Sequence, residues 1–244
     1  VVFETAPTFG LILYCTRLEL DKNSVLFHNY YHMSSKSEIK NINLIENKPY
    51  LTKIELGLLL EKKERNLDKK ISQLTRDEVL IPLKKGLYLS RIFYLKNNDN
   101  IEEYLSNIIY YPSYISLEYV LAKEGLIPES VFTYTCVTLK TTRQFSNKLG
   151  RFTYRKIKEK LFIGFVQKNY YDNCNIKIAT KAKAFFDYLY YKPLGILSEI
   201  DDLRINWENL SLEDLQEFAY YADLSGSKKM TKIYKFIQKK YDSR

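Results

Sequence analysis

The chain has 244 residues, more than one small domain needs, so we expect two domains. Hydrophobic residues make up 45% and charged residues 27%, a globular balance, and the low counts of 8 Gly and 6 Pro exclude long flexible linkers. The net charge of +9 favours an anionic partner, for which nucleic acid and an acidic membrane surface both have the right sign.

Cysteine usage and hydropathy restrict the compartment. The chain has 3 Cys, an odd number without paired spacing, so neither a disulfide framework nor a zinc site is predicted. Its apolar runs fall short of the roughly 20 residues of a membrane span, and the short run near the N-terminus lacks the basic start of a secretory signal. We therefore expect a cytoplasmic protein without a membrane partner. No metal is expected, because His28 and His32 have i,i+4 spacing but no third ligand.

Residues 1–32 differ in pattern from the rest of the chain. They show little regular periodicity, whereas a helical pattern begins at Ser34, just after the first methionine, Met33. We interpret residues 1–32 as a leader outside the natural domain, translated from upstream of the natural start. The alternative is a genuine extension that contains a short pair of strands.

Residues 33–95 show the element order of a winged helix-turn-helix. A short helix is predicted over 37–46, with Ile39, Ile42, Leu44 and Ile45 facing inward. Thr52 and Glu55 have the spacing of a capping box, which predicts a helix that buries Ile54, Leu58 and Leu59. A further helix over 63–77 and a strand, turn and strand over 79–89 complete the order. We therefore predict a winged helix-turn-helix DNA-binding domain here.

The helix predicted over 63–77 has two distinct faces. Leu67, Ile71 and Leu74 are spaced i, i+4 and i+7 and form an inward stripe. The opposite face is polar and basic, while Glu64 and Asp68 fall on the flank. Together with the helix start and the hairpin turn, this face gives the expected DNA-binding residues: Lys62, Lys63, Arg65, Asn66, Lys69, Ser72, Gln73, Arg76, Lys84 and Lys85.

The chemistry of these side chains suggests their roles. Arg can donate two hydrogen bonds to guanine and Asn can pair with adenine, so Arg65, Asn66 and Lys69 are the candidates for base edges. Lys62 and Lys63 precede the helix, where its N-terminus also favours a phosphate. Lys84 and Lys85, at the hairpin turn, are expected to reach a flanking phosphate or the minor groove.

Residues 96–244 are predicted to form a second, mixed α/β domain that ends in helices, and the polar stretch 96–100 marks the boundary. One helix is predicted near 101–108, and Gly226 is expected to end a later one. The predicted helix N-caps are Ser116, Thr180 and Ser211 with Asp214. Strands are predicted over 131–139, 143–146, 150–157, 161–167 and 175–179. The expected fold class is therefore α+β.

Signals of catalysis are scarce. Both His precede residue 33, so a Ser–His or Cys–His pair has no base in the rest of the chain. No phosphate-binding glycine loop is present in the sequence. Asp172, Asp187, Asp201 and Asp202 offer carboxylates for a metal-dependent nuclease, but Asp187 lies among aromatic residues, where a lone carboxylate is more often a satisfied structural group. We predict a protein that is not an enzyme and needs no cofactor.

Several segments carry a family resemblance. In the first domain they are Tyr50-Leu51-Thr52 and residues 65–74 and 83–89, and in the second they are residues 111–118, 125–129, 133–138, 142–143 and 150–155. Ile178-Ala179-Thr180 and Lys183-Ala184 with Asp187 complete the series. In this order the segments resemble the AbiEi antitoxins of abortive-infection, type IV toxin–antitoxin systems. Lys181 and Ala182 depart from the pattern, because Pro and Glu are common there in the family, and no role of that acid is carried over.

The resemblance implies two functions. A protein of this family represses its own operon by binding double-stranded operator DNA at inverted repeats through its winged helix. Its second domain counters a toxin that resembles a nucleotidyltransferase, without forming a stable complex with it. Two alternatives from the residues stay open: a winged helix that delivers a metal-dependent nuclease, and an interaction module whose basic face binds an acidic protein.

Overall fold

The computed structural model describes residues 42–172, 174–193 and 197–242. Over these ranges the chain has a mixed α+β fold with nine α-helices and two β-sheets, which confirms the predicted fold class. None of the helices in these ranges is long and apolar enough to cross a membrane. The interpretation of residues 1–32 as a leader lies outside the described residues, as does the first part of the helix predicted over 37–46.

The N-terminal unit, residues 42–96, consists of four helices and a small antiparallel sheet. Its elements are α1 (Ile42–Glu46), β1 (Leu51–Thr52), α2 (Lys53–Leu59), α3 (Glu64–Arg76), β2 (Leu80–Lys84), β3 (Leu87–Ser90) and α4 (Arg91–Lys96). The strand order is β1-β3-β2, so β1 pairs with the edge of β3 that faces away from β2. A helix, a strand, two helices and a hairpin therefore follow one another along the chain.

The capping box at the start of α2 is confirmed. The Thr52 hydroxyl accepts a hydrogen bond from the Glu55 amide at 3.2 Å, and the Glu55 carboxylate accepts one from the Thr52 amide at 2.8 Å. Two amide groups that the first helical turn leaves without intrahelical partners are thus satisfied.

The predicted buried face of α2 is wrong. Leu56 is fully buried, whereas Ile54 and Leu58 are 78% and 74% exposed and Leu59 is half-buried. Leu56 lies two residues, or about 200°, from each of the exposed pair, so the helix presents the opposite side to the core. A helix of only seven residues has no long periodic stripe, and its packing partners decide which side is covered. In α1, Leu44 is likewise exposed instead of buried.

The hairpin β2–β3 separates two hydrophobic cores. Leu80 and Tyr88 contact the smaller core, which also contains residues of α1, α2 and α3. Ile81 and Leu83 of β2 belong to the larger core, together with Leu87 and Leu89 of β3. Because side chains alternate between the faces of a strand, both faces of this hairpin are covered.

The C-terminal unit, residues 101–242, is built on a six-stranded mixed sheet. Its strands are β4 (Ser113–Ile115), β5 (Thr133–Thr138), β6 (Arg143–Asn147), β7 (Gly150–Lys156), β8 (Phe165–Tyr171) and β9 (Cys174–Ala179). Its helices are α5 (Ile101–Ile109), α6 (Glu118–Lys123), α7 (Lys181–Tyr191), α8 (Leu212–Ser225) and α9 (Lys228–Asp242). The strand order is β6-β7-β5-β4-β9-β8, with parallel pairs β5–β7 and β4–β9.

Most predicted boundaries in the C-terminal unit hold, with three differences. Thr180 caps α7, Ser211 and Asp214 form a capping box on α8, and Gly226 ends α8 in the left-handed conformation, all as predicted. The central strand β4 was not predicted. The strand expected over 161–167 begins only at Phe165, after a short 3-10 helix over Glu159–Leu161. Ser116 does not cap α6, because its hydroxyl donates to Asp187 instead.

Candidate nucleic-acid interface

Helix α3 has the two faces that its sequence predicts. Leu67, Ile71 and Leu74 are buried, at 6%, 4% and 0% exposure, and anchor the helix on the smaller core. The expected DNA-binding side chains of this helix and the residues before it are all exposed, namely Lys62, Lys63, Arg65, Asn66, Lys69, Ser72, Gln73 and Arg76. The apolar stripe thus fixes the orientation of the basic face toward solvent.

Part of this face forms a shallow open groove. It is lined by Lys62, Asn66, Lys69, Lys70 and Gln73. Lys70 was not among the predicted residues, although it lies one turn after Asn66 and the helical spacing could have identified it. Its ammonium group donates to the side-chain carbonyl of Gln73 at 3.3 Å, and this bond does not use the N–H donors of the Gln73 amide. Positive charge and amide groups therefore line the groove together.

Two acidic residues near α3 are paired with cations, whereas Glu64, in the first turn of the helix, takes part in none of the ion pairs of the described residues. Asp68, on the flank of the helix, lies 2.5 Å from the Lys53 ammonium group. Glu78, just after the helix, lies 2.8 Å from Arg91 and 3.6 Å from Lys148. These pairs are exposed and contribute little to stability, but they balance the carboxylates locally. The face that carries Arg65 and Lys69 is thus left with net positive charge.

The N-terminus of α3 is open to an anion. Lys63 occupies the N-cap position and its side chain makes no capping hydrogen bond within the described part of the chain. The first amide groups of a helix of 13 residues, with the positive end of its dipole, favour a phosphate at this place. Lys62 and Lys63 precede these amides and favour an anion here, whereas the Glu64 carboxylate in the first turn opposes one.

The two lysines of the hairpin turn differ from one another. Lys85 is exposed at the turn, as expected. The side chain of Lys84 instead reaches the C-terminal unit, where its ammonium group donates to the carbonyl oxygen of Ile109 at 2.6 Å. Burial lowers the pKa of Lys84, and the nearby charges of Lys140 and Arg143 lower it further. The expectation that the Lys84 side chain extends freely from the turn is therefore wrong. Its side chain instead connects the N-terminal and C-terminal units.

Two of the carboxylates considered for a nuclease, Asp187 and Asp201, have different surroundings. Asp187 is fully buried and Asp201 is on the surface in an ion pair with Lys240. Within the described ranges, no three His, Cys, Asp or Glu side chains lie close enough to hold a metal ion. Two cysteines are free there, and burial raises the pKa of the Cys136 thiol to about 12.

No family model and no curated protein matches the sequence of this chain. What the interface can bind is therefore inferred from its residues. They offer exposed guanidinium, ammonium and amide donors beside a helix N-terminus, which together suit phosphates and base edges.

Proposed function

We propose that this protein is a DNA-binding transcriptional repressor whose N-terminal unit is a winged helix-turn-helix. The basic face of α3 is the observation that carries the proposal, because a buried stripe holds it outward and the flanking Asp68 carboxylate is paired with Lys53. The order of α1, α2, α3 and the hairpin, with β1 beside β3, supports the winged-helix assignment. In this assignment α3 is the recognition helix and the hairpin is the wing.

Each part of the interface has a distinct role in the proposed complex. Arg65, Asn66 and Lys69, near the start of α3, contact base edges in the major groove. Lys62 and Lys63 hold a backbone phosphate at the helix N-terminus. Lys85 contacts a flanking phosphate from the wing. Phosphate contacts set position and affinity, whereas the base contacts set the sequence preference.

We also propose that the C-terminal unit acts as an antitoxin against a nucleotidyltransferase-like toxin in the cytoplasm, as the resemblance to AbiEi antitoxins implies. Two of the segments that carry this resemblance meet in the fold. Tyr114 and Ser116, from the first segment, both donate hydrogen bonds to Asp187, from the last, at 2.9 and 2.8 Å. This contact supports the interpretation that the segments form one unit, and opposition to the toxin without a stable complex rests on the resemblance.

Operator binding provides the direct test of repression. The full chain is titrated against a duplex from its own promoter and against a scrambled duplex of equal length, and a reporter under the same promoter measures repression. We expect preferential binding of the promoter duplex and lower reporter expression. Equal affinity for the two duplexes would reject the proposed function. Growth after co-expression with the product of the adjacent gene tests the antitoxin role separately, and we expect the full chain to restore growth.

A further inference from the structure

Three cations, one from the end of β2, one from the segment before β6 and one from the first residue of β6, converge beside two aromatic rings. Lys140 Nζ lies 5.5 Å and Arg143 Cζ 6.0 Å from the centre of the Tyr110 ring. Lys84 Nζ lies 5.9 Å from the centre of the Phe145 ring, and the centres of the two rings are 5.6 Å apart. The side chains of Lys84, Lys140 and Arg143, called the junction cluster below, therefore share one small region between the wing and the C-terminal sheet.

The junction cluster holds like charges together without a carboxylate. In the part of the chain that the structure describes, none of the three cations has a salt-bridge partner. Lys84 is bound by a neutral acceptor, the Ile109 carbonyl, and its lowered pKa reflects burial and then repulsion from the other two cations. Like charges held this close disfavour one another, and an anion placed among them would relieve the repulsion.

The surrounding contacts fix the geometry of the junction cluster. The Asn147 side chain donates to the Leu83 carbonyl at 3.1 Å and thereby holds the end of β6 against β2. The Tyr110 hydroxyl lies 3.1 Å from the Thr141 hydroxyl, which positions the turn between Lys140 and Arg143. Lys140 and Arg143 are themselves exposed, so a ligand can reach them from solvent. The site is thus positioned by the fold before any ligand binds.

We infer that the junction cluster binds a backbone phosphate of nucleic acid, so that the C-terminal sheet holds DNA together with the wing. The inference rests on the proposed function, because the cluster begins one residue before Lys85, which we place on a flanking phosphate. Lys140 and Arg143 lie over the Tyr110 ring and have no carboxylate partner among the described residues, so their donors are available for phosphate oxygens. Such a contact carries no sequence information, so it strengthens binding to any duplex long enough to reach the cluster.

The test compares three double variants of the full chain. Lys140→Ala with Arg143→Ala removes two cations from the junction cluster, and Lys228→Ala with Lys232→Ala removes two exposed lysines of α9 as a control for net charge. Affinity for the promoter duplex and for the scrambled duplex is measured from low to moderate salt, and a melting curve shows that each variant is folded. A further control variant, Lys140→Arg with Arg143→Lys, exchanges the two residues and keeps the net charge.

The expected result is specific to the junction cluster. The first double variant loses the same factor in affinity for both duplexes, and its slope of log affinity against log salt becomes shallower by about 0.9 for each lost phosphate contact. The α9 variant and the charge-keeping exchange keep the wild-type slope. Wild-type affinity and slope in the first variant, or an equal loss in the α9 variant, would overturn the inference. Failure of the proposed function is distinguishable, because the wild-type chain would then show no preference for the promoter duplex.

Discussion

Lys183 and Asp187, one turn apart on α7, form an ion pair in which neither side chain has any exposed surface. The second oxygen of Asp187 accepts hydrogen bonds from Tyr114 at 2.9 Å and Ser116 at 2.8 Å. Burial raises the pKa of Asp187 and lowers that of Lys183, because both charges have lost water. These hydrogen bonds offset that loss and connect α7 to β4 and to the residue after it, so the prediction that the Asp187 carboxylate has satisfied hydrogen bonds is confirmed.

Removing one partner of this buried pair should be strongly destabilising. Asp187→Asn leaves the Lys183 ammonium group buried without its carboxylate, and we expect a loss of about 3–5 kcal/mol in the free energy of unfolding. Urea denaturation measures it. Asp201→Asn is the matched control, because its partner Lys240 is at the surface, and a change below about 1 kcal/mol is expected. Similar stabilities of the two variants would contradict the structural role of the pair.

Leu56 and Leu58, two residues apart on α2, should respond differently to truncation. Leu56→Ala removes a fully buried side chain, for which we expect a loss of about 2–5 kcal/mol. Leu58→Ala changes a side chain that is 74% exposed, and its effect should stay within about 0.5 kcal/mol. Thermal or urea unfolding of the pair measures which face of α2 is inward. A larger loss of stability in Leu58→Ala than in Leu56→Ala would show that the face predicted from the sequence is the buried one.

The capping box of α2 should make stability depend on pH. Burial raises the pKa of Glu55, but hydrogen bonds from Lys48 and Thr52 outweigh this effect, so its pKa lies below the ordinary value of 4.5. A carboxyl group with a lowered pKa in the folded state stabilises the fold above its unfolded pKa. This contribution is lost as the pH falls through the folded-state pKa.

Thr52→Ala tests the same capping box, and we expect a loss of about 0.5–2 kcal/mol at neutral pH. Glu55→Gln removes the charge, so its free energy of unfolding should differ most from wild type near neutral pH. The difference should shrink as the pH falls from 4.5 through the lower pKa of the folded state, where the wild-type carboxylate becomes protonated. Urea unfolding at a series of pH values measures this, and a constant difference would show that the charge of Glu55 does not stabilise the cap.

Arg65 and Lys85 should separate base reading from phosphate binding. We expect Arg65→Ala to weaken binding to the promoter duplex by roughly 1–3 kcal/mol and to relax the sequence preference. Lys85→Ala should weaken binding to promoter and scrambled duplexes alike and reduce the salt slope by about one. A salt-titrated binding assay on both duplexes measures these effects. If Arg65→Ala binds both duplexes as wild type does, α3 does not read bases through this residue.

Arg65 is also a suitable residue for this test because its truncation should not disturb folding. The helical phase places it away from Leu67, Ile71 and Leu74, and it is exposed in the structure. Lys85 is likewise exposed at a turn. We therefore expect the melting temperatures of both variants to stay close to the wild-type value, so that any loss of affinity reports on DNA contacts.

Local patterns were enough to predict several elements. Three apolar residues at helical spacing predicted which side of α3 faces the core. A helix of 13 residues is long enough for that period to be unambiguous. The N-caps at Thr52, Thr180 and Ser211 were predictable because each cap is formed by groups within three residues of one another. For these elements the sequence alone determined the structure.

Tertiary contacts decided the rest. Strand β4 has only three residues, all of them buried, so no alternation of polar and apolar side chains marks it. Its place between β5 and β9 depends on strands that are distant in sequence. Leu56 is buried rather than Leu58 because the neighbouring elements cover one side of a two-turn helix. The side chain of Lys84 points to Ile109, 25 residues away, a contact that no local pattern contains. Short elements have too few residues for a sequence pattern to show which side of the element is buried. That side is decided only when the two cores pack against the hairpin.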